Sequence, residues 1–305
     1  MRVLVTGGTG LIGRHIVGAL LTSGAEPVAF DISKAKAYPE RSEVEVGDIL
    51  DLDLLVHVLK QRHVNRIIHC AAVLRATCEE NPAVGVAVNV TGTMNVLEAA
   101  QRVGVERVVL TSSIAVYGRT RYSPMDEQHP CEPQGIYGTT KLLGEQIARA
   151  YERTGGLHTL VVRYGLVYGP GGIRTKGVAA AFRSFLETAV RERVIRIPAM
   201  DQRRSLTYVS DAAEATVLAC VKSPPPAHRV FNVAGRGHTM SEAAGILCSL
   251  YPGSVIVRDS GMRPTDLNGD LDTTLAHNEL GFTPAVSLED GLRITCASLD
   301  AAGRR

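Results

Sequence analysis

The sequence predicts an α/β protein: a Rossmann-type doubly wound parallel sheet with a smaller mixed α/β substrate-binding lobe. Short β-branched apolar runs alternate with segments of helical periodicity from the first residues onward, which is the pattern of βαβ units. The first run, Val3-Leu4-Val5, breaks into glycines directly before a helical pattern begins. We therefore expect residues 1–165 to form the Rossmann domain, with segments from about 202–235 returning to it. Residues 166–305 are expected to form mainly the smaller lobe.

Composition restricts the class of protein. Apolar residues make up 45% and charged residues 21% of 305 residues, which is ordinary for a globular domain. The formal net charge of +2 gives no indication of a nucleic-acid surface. No apolar run approaches the roughly 18–20 residues that span a bilayer. The six cysteines have no paired metal-ligand spacing, so we expect reduced thiols, no metal and a cytoplasmic location.

The glycines after the first strand predict a dinucleotide site. Gly7 would allow a tight turn, Gly10 would let a pyrophosphate approach the backbone, and Gly13 would let the helix pack closely on the strand. Leu11 and Ile12 open that helix, whose free N–H groups would face the phosphates. Three glycines alone could form any strand–turn–helix corner, but their position between a strand and a helix makes the pattern more specific.

The remaining elements follow from their residue patterns. Apolar runs bounded by turn residues predict further strands at 27–31, 44–46, 66–72, 105–110 and 158–163. The second strand ends at Asp31, about twenty residues after the glycines, where an NAD ribose needs an acid. Apolar spacing of three and four predicts helices at 52–59 and 84–102 and from residue 136 onward. Beyond residue 170 we expect helices at about 178–191, 211–221 and 241–251, with strands at 206–209 and 230–233.

A second cluster of residues indicates proton transfer. Tyr137-Gly-Thr-Thr-Lys141 places a phenol and an ammonium on one face of a helix. A nearby cation favours the phenolate, so the pair could move a proton, although a surface Tyr/Lys pair has the same spacing. Ser113 follows the fifth strand, and the carboxyl ends of parallel strands form the ligand crevice in this fold. A hydroxyl there could bind the substrate oxygen on which Tyr137 acts.

Further motifs occur in a fixed order over essentially the whole chain: Thr6-Gly-Gly-Thr-Gly-Leu-Ile-Gly13, His69-Cys-Ala-Ala72, Ser112-Ser-Ile-Ala-Val-Tyr-Gly118, Tyr137-x-x-x-Lys141, Arg163-Tyr-x-x-Val-Tyr-Gly-Pro170, Arg204-Ser-Leu-Thr-Tyr-Val-Ser-Asp211, Phe231-Asn-Val233, Arg263-Pro-Thr-Asp266 and Leu280-Gly-Phe-Thr-Pro284. Together they resemble the extended short-chain dehydrogenases/reductases of the NAD-dependent epimerase/dehydratase family.

The resemblance implies a role for each matching residue. Tyr137 would be the catalytic acid/base, Lys141 would hold the nicotinamide ribose and lower the tyrosine pKa, and Ser113 would orient the substrate hydroxyl. The residues implied for NAD are the glycine loop, Asp31 at the adenosine ribose, Asp48 and Ile49 at the adenine, and Ala71, Ala72 and Asn89 along the cofactor cleft. A hydrogen bond between helices is the alternative role for Asn89.

The substrate end departs from the family pattern at one position. Nucleotide-sugar members commonly place an asparagine where this chain has Leu166. Arg204 and Arg263 nevertheless match two arginines that such enzymes place on the diphosphate, with surface ion pairing as the alternative.

The resemblance implies an NAD-dependent nucleotide-sugar epimerase, most like the UDP-sugar 4-epimerases, that acts through a transient ketone and forms a homodimer. The alternative is an NAD-dependent dehydrogenase or reductase of a sugar, hydroxy acid or other small alcohol, which Leu166 favours. Dehydratases usually place an Asp-Glu pair where Ile114-Ala115 stands. A non-catalytic NAD-binding regulator is a third possibility, but it would have no need for Ser113, Tyr137 and Lys141 together.

Overall fold

The computed structural model describes residues 1–34, 43–171, 178–261 and 269–303. The strands in these residues are β1 (Arg2–Thr6), β2 (Glu26–Asp31), β3 (Glu43–Val46), β4 (Arg66–His69), β5 (Arg107–Ser113), β6 (His158–Tyr164), β7 (Leu166–Tyr168), β8 (Val194–Pro198), β9 (Arg203–Tyr208), β10 (Val230–Val233), β11 (Gly237–Thr239) and β12 (Val255–Asp259). The α-helices are α1 (Leu11–Thr22), α2 (Leu52–Gln61), α3 (Arg75–Glu80), α4 (Pro82–Val86), α5 (Thr93–Val103), α6 (Ile136–Gly155), α7 (Val178–Glu192), α8 (Val209–Val221), α9 (Met240–Leu250) and α10 (Leu288–Gly303).

The large sheet confirms the fold class that the sequence predicts. Within the described residues it has seven parallel strands in the order β10-β6-β5-β4-β1-β2-β3. Helices cover both faces, so Val3, Leu4 and Val5 of β1 are completely buried, as expected for a parallel sheet between two helical layers. The chain winds outward from β1 through β2 and β3, then returns to the other side of β1 at β4. This reversal is the switch point where such folds bind ligands.

Two hydrophobic cores flank this sheet. One includes Ile16 and Leu20 of α1 together with Ala212 of α8. The other includes Leu55 of α2 and Leu97 of α5. The elements that carry the predicted site residues are therefore fixed against a rigid sheet.

The smaller lobe is built on two short sheets. β9 lies between β11 and β7, and β8 pairs with β12. Their core joins side chains of α7, α9 and α10, including Leu186, Leu247 and Leu292. Of the segment expected to return to the Rossmann domain, β10 joins the large sheet and α8 packs against it, whereas β9 belongs to the smaller lobe.

The helix predicted at 84–102 is interrupted. α4 is followed by a wider π-helical stretch, Ala87–Gly92, before α5 begins. The Thr93 hydroxyl donates to the carbonyl oxygen of Asn89 across 2.7 Å within this stretch. Periodicity alone did not predict the interruption, because apolar spacing continues through it; π-bulges of this kind often lie near functional sites.

The structure contains no helix, among the residues it describes, with the length and apolar character needed to cross a membrane.

Candidate active site

A cavity of about 990 Å³ lies between the carboxyl edge of the large sheet and the smaller lobe, at the upper end of the usual size for ligand pockets. The glycine loop, Ser113 and Tyr137 line it from the large sheet. Leu166 and Arg204 line it from the smaller lobe. The structure thus brings the predicted dinucleotide loop, the proton-transfer residues and one substrate arginine to a single cavity.

The glycine loop has the close contacts that its sequence predicts. Gly7 adopts a positive φ of 64°, and a Cβ there would lie 2.7 Å from the backbone nitrogen of Ala71. A Cβ on Gly13 would collide with the carbonyl oxygen of Gly7. Any larger residue at either position would push α1 or the segment after β4 away from β1.

The start of α1 faces the cavity. Leu11, Ile12 and Gly13 line it, and the N-cap residue Gly10 has no side chain with which to cap the helix. No acidic residue occupies the first turn. The positive end of the helix dipole is therefore left for an anion, as in dinucleotide sites.

Asp31 lies beside this loop, at the end of β2. Its Oδ2 accepts a hydrogen bond from the backbone N–H of Thr9 across 3.0 Å, so the carboxylate is fixed relative to the glycines. The carbonyl oxygen of Asp31 accepts from Gly47 across 2.9 Å, which brings the following residues, Asp48 and Ile49, near the end of β2. Asp48 is exposed, whereas the Ile49 side chain is buried in the core, so only the backbone of Ile49 could contact a ligand.

Asn89 lies behind the wall of the cavity. Ala71 packs on Gly7 and Ala72 lines the cavity, but the Asn89 side chain is buried and lies outside the cavity lining. Its amide makes two hydrogen bonds with the backbone of Val73, of 2.8 and 3.0 Å, and a third with the Thr140 hydroxyl. Asn89 therefore ties the cavity wall at Val73 to α6, which is the alternative role of bonding between helices.

Ser113 and Tyr137 meet at the cavity. The Ser113 Oγ accepts from the N–H of Ala115 across 3.1 Å, so its own proton is free to face Tyr137, whose pKa Ser113 lowers. Lys141, one helical turn beyond, donates from Nζ to the carbonyl oxygen of Thr111 across 2.9 Å. The last residues of β5 thus hold both functional groups of α6.

Burial shifts the pKa values of both α6 residues. It raises the pKa of Tyr137 to about 12, and Ser113 opposes that shift. The Lys141 ammonium is directed at the Thr111 carbonyl. Burial lowers the pKa of Lys141 itself to about 8, which the thiols of Cys70 and Cys78 and the Glu145 carboxylate oppose.

Arg204 lies at the opposite end of the cavity. It is half-buried, burial lowers its pKa, and its Nη2 donates to the Gln202 side-chain oxygen across 3.1 Å. No carboxylate among the described residues pairs with it. Arg263, the second predicted arginine, lies outside the described residues. Leu166 lines the cavity and packs against the core of the smaller lobe.

Other residues of the site did not emerge from the sequence. The backbone carbonyl of Thr111 accepts the hydrogen bond of Lys141. Cys78, on α3, is a buried neighbour of Tyr137 and raises the tyrosine pKa. Neither lies in a motif that predicts contact with α6, although Thr111 adjoins the Ser112-Ser113 pair. Ile114 and Ala115 line the cavity where dehydratases usually have acids.

Residues 3–234 match the model of the NAD dependent epimerase/dehydratase family. The chain belongs to this family. The predicted family and its NAD dependence are therefore confirmed.

The chain is similar both to epimerases and to dehydratases. It is 31% identical over 236 residues to a UDP-glucose 4-epimerase of Azospirillum brasilense, covering 72% of this chain and 68% of that protein. It is 31% identical over 323 residues to a dTDP-glucose 4,6-dehydratase of Streptomyces niveus, covering 96% and 90% respectively. The fold matches the crystal structure of the Thermus thermophilus UDP-glucose 4-epimerase in complex with NAD at a TM-score of 0.87 and 29% identity, over 99% of this chain and 100% of that one.

Proposed function

We propose that this protein is an NAD-dependent epimerase of nucleotide sugars, most like a UDP-sugar 4-epimerase. The observation that carries the proposal is a single cavity with three parts: the glycine loop, the Ser113 and Tyr137 side chains, and Arg204, which pairs with no carboxylate in the part of the chain that the structure describes. An enzyme that oxidises and re-reduces a sugar while it holds the diphosphate needs these three parts together.

The residues present fit NAD. Gly7 and the uncapped start of α1 line the cavity, and the Thr9 N–H fixes the Asp31 carboxylate beside this loop. In this proposal the glycine loop binds the pyrophosphate, Asp31 the adenosine ribose, Asp48 and the Ile49 backbone the adenine, and Lys141 the nicotinamide ribose. Ala71 and Ala72 leave room beside the ring. When bound, NAD accepts a hydride from the substrate carbinol carbon and returns it to the other face of the ketone.

Proton transfer falls to Tyr137. In the oxidation step its phenolate takes the proton of the sugar hydroxyl, while Ser113 hydrogen-bonds the same substrate oxygen. Burial opposes formation of the phenolate, and the bond from Ser113 favours it. A positive charge in the cavity lowers the tyrosine pKa further, and the oxidised nicotinamide ring carries one. In the reduction step Tyr137 returns the proton.

The smaller lobe would hold the nucleotide. A half-buried guanidinium without a carboxylate pairs well with a diphosphate, since its fork can bond two oxygens at once. We include Arg263 in this role on the strength of its motif. In this proposal, residues 1–165 together with β10 and α8 bind NAD, and the rest of the chain mainly binds the substrate.

A net dehydrogenase or reductase of a small alcohol is the second candidate. Leu166 favours it, because an apolar side chain lines the cavity where nucleotide-sugar enzymes commonly have an asparagine. Dehydration has less support, since Ile114 and Ala115 cannot move a second proton. A regulator without catalysis would have no need for Ser113 and Tyr137 together in the cavity.

Calorimetry distinguishes the first two candidates. UDP, dTDP and GDP are titrated separately into the NAD-loaded protein. The proposal predicts that at least one binds, and that Arg204→Ala weakens it. If none binds at millimolar concentration, the nucleotide-sugar assignment is wrong and the small-alcohol dehydrogenase takes its place.

We also propose a cytoplasmic homodimer that associates through α5 and α6. Met94 on α5 and Leu143 on α6 are 42% and 45% exposed, and a second copy of the chain packed against these two helices would cover both. The six unpaired cysteines support a reducing compartment. Sedimentation should give a dimer that Leu143→Glu dissociates, and fractionation of the producing cells should place the protein in the cytoplasm. A monomeric wild type, or recovery outside the cytoplasm, would contradict these points.

A further inference from the structure

Three side chains spaced four residues apart on α6 contact the last three residues of β5. Two of the contacts are those of Tyr137 and Lys141 described above. In the third, the Ser112 hydroxyl donates to Oε1 of Glu145 across 2.5 Å. Because residues four apart lie on one face of a helix, α6 is held in register with the strand that ends at the catalytic serine.

Glu145 is held firmly enough to act as an anchor. Arg163 on β6 donates to it twice, from Nε to Oε1 across 3.0 Å and from Nη2 to Oε2 across 2.6 Å. The two side chains are only 5% and 6% exposed. Arg163 also donates to the Tyr117 hydroxyl across 3.0 Å. A buried ion pair usually adds little stability compared with an apolar replacement, so its presence here is better explained by the geometry it fixes.

We propose that Glu145 is a positioning residue for proton transfer, which acts through Ser112 to fix the Ser113 hydroxyl against Tyr137. Ser112 and Ser113 are consecutive, so a shift at one displaces the other. Small displacements between reacting groups have large effects on rate. The inference rests on the proposed function and adds a residue that touches neither substrate nor cofactor.

Glu145 has a second effect on the same face of α6. It lies one helical turn beyond Lys141, and its carboxylate raises the lysine pKa against the effect of burial. The thiols of Cys70 and Cys78, from the segment after β4 and from α3, act in the same direction. Glu145 therefore supports both the placement of the serine pair and the charge of the lysine.

Ser112→Ala is the main test, because it removes one hydrogen bond and leaves the buried ion pair intact. We expect kcat to fall roughly ten- to a hundredfold, with the KM for the nucleotide sugar and the Kd for NAD unchanged. When Ser113 is already alanine, Ser112→Ala should lower kcat less than about twofold, because the effects of two coupled residues do not add. Glu145→Gln, if it folds, should reproduce the loss.

Thr159→Val is the matched control. Thr159 is also buried, and its hydroxyl also bonds α6, at the Ala148 carbonyl, but it is far along β6 from the cavity. It should change thermal stability without changing kcat. The inference is overturned if Ser112→Ala leaves kcat unchanged, if its effect is the same with and without Ser113, or if Thr159→Val lowers kcat equally.

Crystal structures of the wild type and Ser112→Ala provide a readout that needs no substrate. The distance between Ser113 Oγ and Tyr137 Oη should be longer in the variant than in the wild type, because the serine pair is no longer held by Glu145. An unchanged distance overturns the inference. If the wild type converts no nucleotide sugar, the proposed function fails, and this distance alone decides whether Glu145 positions the pair.

Discussion

Lys141 donates its hydrogen bond to the carbonyl oxygen of Thr111, 2.9 Å away, and not to its helical neighbour Tyr137. The strand end therefore anchors the ammonium one helical turn beyond the phenol. Burial raises the pKa of Tyr137 to about 12, and Ser113 opposes that shift. Each of the two α6 residues thus has a separate partner on β5, and each can be tested separately.

Replacing Tyr137 with Phe should abolish turnover and leave the fold intact. The change removes the hydroxyl that exchanges the proton but keeps the ring that lines the cavity. Loss of general acid–base catalysis should lower kcat by roughly 10²- to 10⁴-fold, with the Kd for NAD nearly unchanged. Steady-state kinetics and fluorescence titration measure both. More than about a tenth of wild-type kcat in this variant would mean that another group moves the proton.

Lys141 should make NAD binding depend on pH. Its pKa is lowered to about 8 in the folded protein, from 10.5. The folded chain therefore holds fewer protons than the unfolded chain between these values, and the contribution of Lys141 to stability increases as pH rises through that window. NAD affinity should change in the opposite sense, falling by up to about tenfold per pH unit above that pKa as the ammonium is lost.

The control for this pH effect is Lys141→Met, which should bind NAD more weakly and with little dependence on pH. Dissociation constants of both proteins at about pH 7 and about pH 9 are sufficient. Equal pH dependence in the wild type and the variant would assign the effect to another group.

The fixed Asp31 carboxylate should make the protein prefer NAD over NADP. Its Oδ2 is held by the Thr9 N–H at 3.0 Å, so it cannot easily move away from a 2′-phosphate. Lys34 is close in sequence and would favour NADP, and Lys36 lies outside the described residues. In Asp31→Asn, the dissociation constants for NAD and for NADP should lie closer together than in the wild type. Equal or tighter binding of NADP by the wild type would refute the assignment of Asp31.

Arg204→Ala should weaken nucleotide-sugar binding and leave NAD binding unchanged. A charge-assisted hydrogen bond contributes about 1.5–3 kcal/mol, so a loss of roughly ten- to a hundredfold is expected. Arg203→Ala is the matched control, because Arg203 pairs with Asp270 and does not line the cavity. Calorimetry with UDP compares the two, and Arg263→Ala can be measured alongside. Equal losses for Arg203 and Arg204 would argue against a diphosphate site at Arg204.

Leu166→Asn tests the position at which the chain departs from its family. If the substrate is a nucleotide sugar, the new amide should leave UDP binding unchanged or tighten it modestly. If the substrate is a small apolar alcohol, an unpaired amide in the lining should lower activity. Leu166→Ala controls for lost volume alone. Weaker UDP binding by the asparagine variant than by the alanine variant would count against the epimerase.

Local patterns in the sequence were sufficient to predict much of the fold and the site. The glycine loop, the strands and the Tyr137–Lys141 spacing depend on residues that are close in the chain, and the structure has the glycine loop between β1 and α1 and the Tyr137 and Lys141 side chains one turn apart on α6. The three-stranded sheet of the smaller lobe pairs strands that are far apart in the chain, so periodicity could not assign it.

Side-chain partners were the harder part. The Asn89 amide bonds the Val73 backbone, which no spacing rule anticipates. Ser112 bonds Glu145, 33 residues away, and no local pattern predicts that contact. Such contacts depend on how β5 and α6 are placed in three dimensions, and the sequence fixes that placement only through the complete fold.

Epimerisation itself is the most direct test. The NAD-loaded protein is incubated with a panel of nucleotide sugars, including UDP-glucose, and the products are separated by chromatography while NADH absorbance is followed. Our account predicts that at least one sugar is converted to its C4 epimer without net NADH formation, and that Tyr137→Phe abolishes the conversion. Stoichiometric NADH without any epimer, or no conversion of any nucleotide sugar, would contradict it.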